Sequence, residues 1–487
     1  MNDSNIILFV CFFIIAYNQY ILIRSNLMDM RNAACQYAND HYQSFLADLK
    51  QFITFPSVST DPIHKDDMIK TAGWIAEKLS AIGMHHVEII PTPGHPVVYA
   101  DWLLAGESSP TVLIYGHYDV QPPDPLELWN SEPFDPLEKG DFLFARGASD
   151  MKGQIIASIA AVEAILKQGG APVNLKFVIE GEEEIGSPNF NNVLESRKEQ
   201  LRSTVALNPD AGMIDPNTPT IVYGLRGLAY FELKVFGPDH DLHSGQFGGV
   251  IQNPANALCK IISGMHDENG RITLPGFYDT VCALSNTERQ NLSQLPTDPT
   301  YFLEQTGSPG LYGEKGYTPV EQVGVRPTLD VNGIFSGFTG KGSKTVIPAW
   351  AMAKVSMRLV PDQHPRDVEQ QLRRYLEMNA PDGIRWELSY LGGGPASMSD
   401  PDQPAALALA KAFEVVWQRP PVYKREGGSV PIVADMQQIL KIDSVLTGFG
   451  LPGDNIHSPN EKLHLPTWKK GIQSLIHFFY FFGDQSA

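Results

Sequence analysis

The chain has 487 residues, too many for one hydrophobic core, so two domains are expected. Hydrophobic residues make up 43% and charged ones 19%, the balance of an ordinary globular protein, and a net charge of -18 with no run of Lys and Arg argues against nucleic acid or an anionic membrane as partner. The four cysteines, Cys11, Cys35, Cys259 and Cys282, have no Cys-x-x-Cys spacing, which speaks against a disulfide framework or a thiolate zinc site and fits a reducing, cytoplasmic location.

Residues 6–17 are unbroken apolar sequence, too short for a confident membrane span, preceded by Asp3 rather than a basic stretch and followed by no small-residue cleavage site. A signal-like segment, a weak anchor and a mis-assigned start upstream of Met28 or Met30 all remain open. We favour the last and treat residues 1–30 as an N-terminal extension. Residues 31–55 then have helical apolar spacing through Tyr42, Phe45, Leu46, Leu49 and Phe52; residues 69–82 repeat it, and Val87-Glu88-Ile89-Ile90 reads as a strand. This is an α/β opening.

Thr111-Val112-Leu113-Ile114-Tyr115 and Leu175-Lys176-Phe177-Val178-Ile179 are short, apolar and rich in β-branched residues, as buried strands of a sheet covered on both faces are. Each is followed by a polar cluster, Gly116-His117-Tyr118-Asp119 after the first and Glu180-Gly181-Glu182-Glu183-Glu184-Ile185-Gly186 after the second. Between them come Trp129, a Pro/Asp-rich loop to Asp141, the cluster Gly147-Ala148-Ser149-Asp150-Met151-Lys152-Gly153, and a helix opening at Gly153 with Ile156, Ile159, Ala160, Ile165 and Leu166 on a mostly buried face. The buried strand Thr204-Val205-Ala206-Leu207 delivers Asn208-Pro209-Asp210 to its carboxyl end, where α/β folds place their chemistry.

Around Tyr223 the periodicity changes. Ala229, Phe231, Leu233 and Val235 alternate as in a half-buried strand, Asn253-Pro254 caps and starts a helix, Ala353, Val355, Met357 and Leu359 alternate again, Pro365 opens a helix, and residues 386–391 close with a strand. This pattern predicts an inserted ferredoxin-like α+β layer over residues 224–391. The flanking residues 31–223 and 392–487, the latter with strand Ser444-Val445-Leu446 ahead of Gly453-Asp454-Asn455-Ile456-His457, form one discontinuous α/β domain with a mixed, mainly parallel sheet. Gly340-Lys341-Gly342-Ser343 imitates a phosphate loop but has Phe335 in place of the first glycine, so nucleotide binding is not supported.

Two imidazoles and several carboxylates gathered at strand ends are the ligands of a pair of divalent ions about 4 Å apart, which need one shared carboxylate and further N or O donors on each. His117, Asp150, Glu184, Asp210 and His457 supply such a set; Glu183 stays free as a base, and Asp119, two residues from His117, can orient its imidazole.

The strings quoted above, together with Tyr223-Gly224-Leu225-Arg226-Gly227, Asp241-Leu242-His243-Ser244-Gly245, Arg425-Glu426-Gly427-Gly428-Ser429 and His457-Ser458-Pro459-Asn460-Glu461, resemble the M20 family of co-catalytic zinc metallopeptidases, its dipeptidase branch most of all. The resemblance runs from about Asp40 to Gly483. It implies two zinc ions, with manganese or cobalt as substitutes: His117 and Asp210 complete one site, Glu184 and His457 the other, Asp150 bridges, and Glu183 is general base and later acid. It also implies a cis peptide after Asp150, and a homodimer built by the inserted lid domain in which His243 reaches the other subunit's site to steady the oxyanion. Arg358 would clamp the C-terminal carboxylate of a small peptide substrate, with Thr345, Asn332 and Ser429 as further contacts.

Asp210 stands where the family's dipeptidases and aminopeptidases resemble one another in having Asp and its deacylases tend to have Glu, which favours dipeptides. Leu391 stands where carnosinase-like members have a histidine, which puts carnosine itself in doubt. The expected activity is hydrolysis of dipeptides or short peptides; the alternative is an amidohydrolase of the same family acting on N-acyl or N-carbamoyl amino acids.

Overall fold

A computed structural model describes residues 27–484; the apolar run at 6–17 lies outside the described residues. The chain divides into two compact units, one of Met1–Ile221, Ser399–Val422 and Asp435–Ala487, the other of Val222–Met398 and Tyr423–Ala434.

The first unit is organised on a twisted sheet in which the Thr111–His117 strand lies between Asn174–Glu180 and Val205–Asn208, with Ser444–Leu446 beyond the latter. All these neighbours are parallel, so their carboxyl ends share one edge, and His117 pairs in register with Glu180. On the other side, Val97–Trp102 and His85–Ile90 continue the sheet antiparallel. Every residue of Asn174–Glu180 is buried, as in a strand covered on both faces.

The cover comes partly from Lys152–Leu166, apolar around nearly its whole circumference and buried at 13 of its 15 residues, which packs on the Thr111–His117 strand and on the helices Tyr42–Ile53 and Leu465–Asp484. Trp468 of the last helix is fully buried and donates from Nε1 to the Gly153 carbonyl at 2.7 Å. The helical stretch expected over residues 31–55 is interrupted at His41, whose ring stacks on Tyr37 at 3.8 Å. Among the described residues no helix is long and apolar enough to cross a membrane.

The second unit has the strand, helix, strand, strand, helix, strand order expected of a ferredoxin-like layer. Its antiparallel sheet runs Thr328–Ser336, Trp350–Leu359, Gly227–Phe236, Arg385–Gly394. Gly227–Phe236 and Trp350–Leu359 alternate strictly between buried and less buried residues, and the buried set meets Ala257, Leu258 and Ile261 of helix Pro254–Ser263 and Val368, Leu372 and Leu376 of helix Pro365–Asn379. Asn253 caps the first of these helices, its Oδ1 accepting from Ala255 N at 2.9 Å. Between that helix and the edge strand lie three short helices, Asn286–Ser293, Pro299–Thr306 and Pro319–Gly324, anchored by buried Glu314, which takes two hydrogen bonds from Arg326 at 2.7 and 2.9 Å.

The C-terminal helix carries a pH-sensitive group remote from the ligand cluster. His477 is 8% exposed, its Nε2 lies 3.6 Å from Cys35 Sγ, and burial, helped by Arg31, lowers its pKa from 6.5 to about 4. A base with a folded pKa below its unfolded one binds fewer protons when folded, so its contribution to stability is intact above pH 6.5 and falls as pH drops towards 4. About 2 kcal/mol should be lost between pH 7 and 5 through this group. Urea unfolding at the two pH values should show that increment in the wild type and its absence in His477→Gln.

Candidate metal centre

Five side chains converge at the carboxyl edge of the first unit's sheet. His117 is the last residue of its strand, Glu184 sits in the single turn Glu183–Ile185 that follows Asn174–Glu180, and Asp210 stands two residues beyond Val205–Asn208. Asp150 precedes the helix Lys152–Leu166 across a cis peptide bond to Met151, and His457 comes from the loop after Ser444–Leu446 in a left-handed conformation (φ 59°). Their donor atoms form two groups, His117, Asp150, Asp210 and Asp150, Glu184, His457, each within 4.8 Å and both sharing Asp150. His117 Nε2 lies 3.2 Å from Asp150 Oδ1 and 3.7 Å from Asp210 Oδ2; His457 Nε2 lies 2.9 Å from Asp150 Oδ2 and 3.3 Å from Glu184 Oε2.

Asp119 organises both halves. Its carbonyl oxygen lies 3.1 Å from His117 Nδ1, and because that oxygen can only accept, Nδ1 carries a proton, which in the neutral ring leaves the lone pair on Nε2. The Asp119 carboxylate accepts from the backbone N–H of Glu183 at 3.2 Å and of Glu184 at 3.1 Å. Gln121 Nε2 donates to Glu184 Oε2 at 2.8 Å, and Asn208 Oδ1 accepts from Asp210 N at 2.9 Å. Glycine is required at 181, where a Cβ would fall 2.4 Å from the ring of fully buried Tyr118.

Electrostatics agree with a cation site. Burial, with Asp210, Glu184 and Asp150 adding to it and His117 opposing, holds the Glu183 carboxyl well above its usual pKa. Burial likewise raises Glu184. The acceptors Asp150 and Glu184 push His457 up to about 10, and His117 is raised well above its ordinary value although burial opposes it. Asp150 is lowered, its two imidazole partners outweighing burial. His117 Nε2 is buried with no hydrogen-bond partner and faces two carboxylates, the donor set a divalent ion accepts. These residues therefore fit such ions.

The remaining expected site residues lie in the second unit. His243 is exposed, its Nδ1 accepting from Gly245 N at 3.0 Å, and Thr345, whose carbonyl takes the Ser244 N–H at 3.1 Å, stands beside it. Arg358 Nη1 donates to Ser429 Oγ at 2.7 Å, so these two meet. Asn332 is exposed at the register shift of the edge strand Thr328–Ser336. Sequence reasoning assigned no role to Gln121, Arg146 or Glu461, all of which hold the ligand loops; for Glu461 the only trace was its place four residues after His457.

Residues 113–480 match the sequence profile of peptidase family M20/M25/M40. The chain is 31% identical over 460 residues to the Cys-Gly metallodipeptidase DUG1 of Candida albicans, covering 90% of this chain and 94% of that one. It is 31% identical to the Beta-Ala-His dipeptidase of Homo sapiens, covering 91% of each. The crystal structure of the M20 family metallo-carboxypeptidase Sso-CP2 from Sulfolobus solfataricus superposes with a TM-score of 0.82 at 32% identity, over 90% of this chain and 99% of that one. The candidate ligand cluster falls inside the matched span, and the chain is a metallopeptidase of peptidase family M20/M25/M40, on its dipeptidase branch.

Proposed function

We propose that the protein hydrolyses the peptide bond of dipeptides with two divalent ions, zinc foremost and manganese or cobalt as substitutes. The observation that carries this reading is the pair of three-residue groups sharing Asp150, with Glu183 beside one of them. When bound, such ions acidify water and polarise the scissile carbonyl. Glu183, as the carboxylate, takes the proton of the attacking water as the C–O bond forms and passes it to the amine nitrogen as the C–N bond breaks. Asp119 keeps His117 and the Glu183–Glu184 backbone in place during both transfers.

Arg358 and Ser429 bind the substrate's C-terminal carboxylate, and Thr345 and Asn332 supply lesser contacts. His243 acts from the other subunit of a homodimer, donating a hydrogen bond to the oxyanion. A dimer through the inserted unit is supported by the apolar side chains exposed on and near its edge strand, Ile334, Phe335, Phe338 and Trp350, which a second copy would cover. A cytoplasmic location belongs to the same reading.

The test is a substrate panel on zinc-reconstituted protein: neutral dipeptides, carnosine, and N-acetylated, N-succinylated and N-carbamoyl amino acids. Dipeptides should be cleaved at least about 100-fold faster than the acylated amino acids, with carnosine poor among the dipeptides because Leu391 replaces an imidazole. The reverse order would make the protein an amidohydrolase instead. Arg358→Met should raise KM for a dipeptide by about 10- to 100-fold with a smaller change in kcat, as expected when ground-state binding of a carboxylate is lost. Steady-state kinetics on a free and a C-terminally amidated dipeptide checks this, since the amide should lose the difference between wild type and variant.

A further inference from the structure

The loop carrying the shared ligand Asp150 is held by one carboxylate from the far end of the chain. Glu461 is fully buried. Its Oε1 accepts from the backbone N–H of Ser149 at 2.9 Å and of Asp150 at 3.1 Å; its Oε2 accepts from Gly147 N at 2.9 Å and from Arg146 Nη1 at 2.7 Å. The Glu461 carbonyl accepts from Ala145 N at 3.0 Å. A second carboxylate of the same segment joins in: Asp454 Oδ2 accepts from Ser149 Oγ at 3.0 Å. Between Asp454 and Glu461 stands His457. Two ligand-bearing loops are thus fastened to each other by side chains that are not ligands.

A buried carboxylate is costly unless its lone pairs are filled, and here three N–H groups and a guanidinium fill them. The bonds end on the backbone at Ser149 and Asp150, so they fix where the Asp150 carboxylate starts from, and the same strand of chain fixes His457. We infer that Glu461 is a positioning residue that sets the separation of Asp150 from His457 and thereby the affinity for the paired divalent ions. It touches neither substrate nor ligand donor atoms; it acts through Asp150.

The inference rests on the metal-dependent reading, and the experiment separates the two. Glu461→Gln is almost isosteric, but whichever way the amide turns, an NH2 group faces backbone N–H donors and bonds to the Asp150 loop are lost. Arg146→Met removes the same ion pair and leaves the three N–H bonds intact. Zinc and manganese binding to metal-stripped full-length protein is measured by calorimetry, alongside urea unfolding.

Glu461→Gln should weaken ion binding at least about 10-fold, and Arg146→Met less than about 3-fold, although both lower the unfolding midpoint. Glu461→Asp, which keeps the charge beside Arg146 but withdraws it from Ser149 and Asp150, should fall between them and serves if the Gln variant does not fold. Unchanged affinity in Glu461→Gln, or losses in Glu461→Gln and Arg146→Met that simply track their stabilities, would overturn the assignment. Failure of the unaltered protein to bind either ion would overturn the metal-dependent reading itself, and this inference with it.

Discussion

Glu183→Gln is expected to lower kcat for a good dipeptide about 1,000-fold while metal content stays that of the wild type. The amide has the size of the carboxylate but cannot accept a proton from water or return one to the leaving amine. The main-chain N–H of residue 183 still donates to Asp119, so the turn that also carries Glu184 should keep its shape. Turnover assays paired with elemental analysis of the same sample check the prediction; substantial activity, or a parallel loss of metal, would remove Glu183 from this role.

Asp150→Ala should be at least as damaging, by a different route. Asp150 is the residue common to both ligand groups, and its two oxygens face different imidazoles, Oδ1 towards His117 and Oδ2 towards His457. Removing it leaves each group with a histidine and one carboxylate, too few donors for a tetrahedral site that keeps one position for water. Bound metal should fall below one ion per chain and activity below about one ten-thousandth of wild type, whereas Asp210→Ala, which strips one group, should retain an ion on the other. Metal titration of the two variants side by side distinguishes a shared ligand from a private one.

Some of this architecture is written locally. The clustering of the candidate ligands at positions 117, 184 and 210 was legible because each follows a short apolar run that reads as a buried strand, and parallel strands bring their carboxyl ends together. The inserted layer was legible through its alternating strands and the Asn253-Pro254 helix start, and the sheet order bears the ferredoxin-like expectation out.

Other features depend on partners distant in the chain. Val97–Trp102 is buried at all six positions, including Asp101, whose carboxylate meets Tyr99 and His86; such a strand has no alternation to announce it. The loop after Trp129 ends in a short exposed strand, Leu137–Lys139, that exists because Phe142–Phe144 pairs with it and, on its other side, with Lys462–His464. The role of Glu461, which closes the His457–Glu461 string, was not legible for a related reason: three of its four hydrogen-bond donors are main-chain groups, which leave no mark in a sequence.

The split of the ligand set has a consequence for biosynthesis. Asp150 and His457 are 307 residues apart. At roughly 5–20 residues per second, a ribosome needs on the order of 15–60 s between making the first and the second. For most of that interval, once residue 210 has been added, the nascent chain holds His117, Asp150, Glu184 and Asp210 but lacks both the last imidazole and the Glu461 fastening. Ion capture that needs the complete set would therefore wait until residues 457–461 have been made, and chains terminated before them would lack half of the proposed centre.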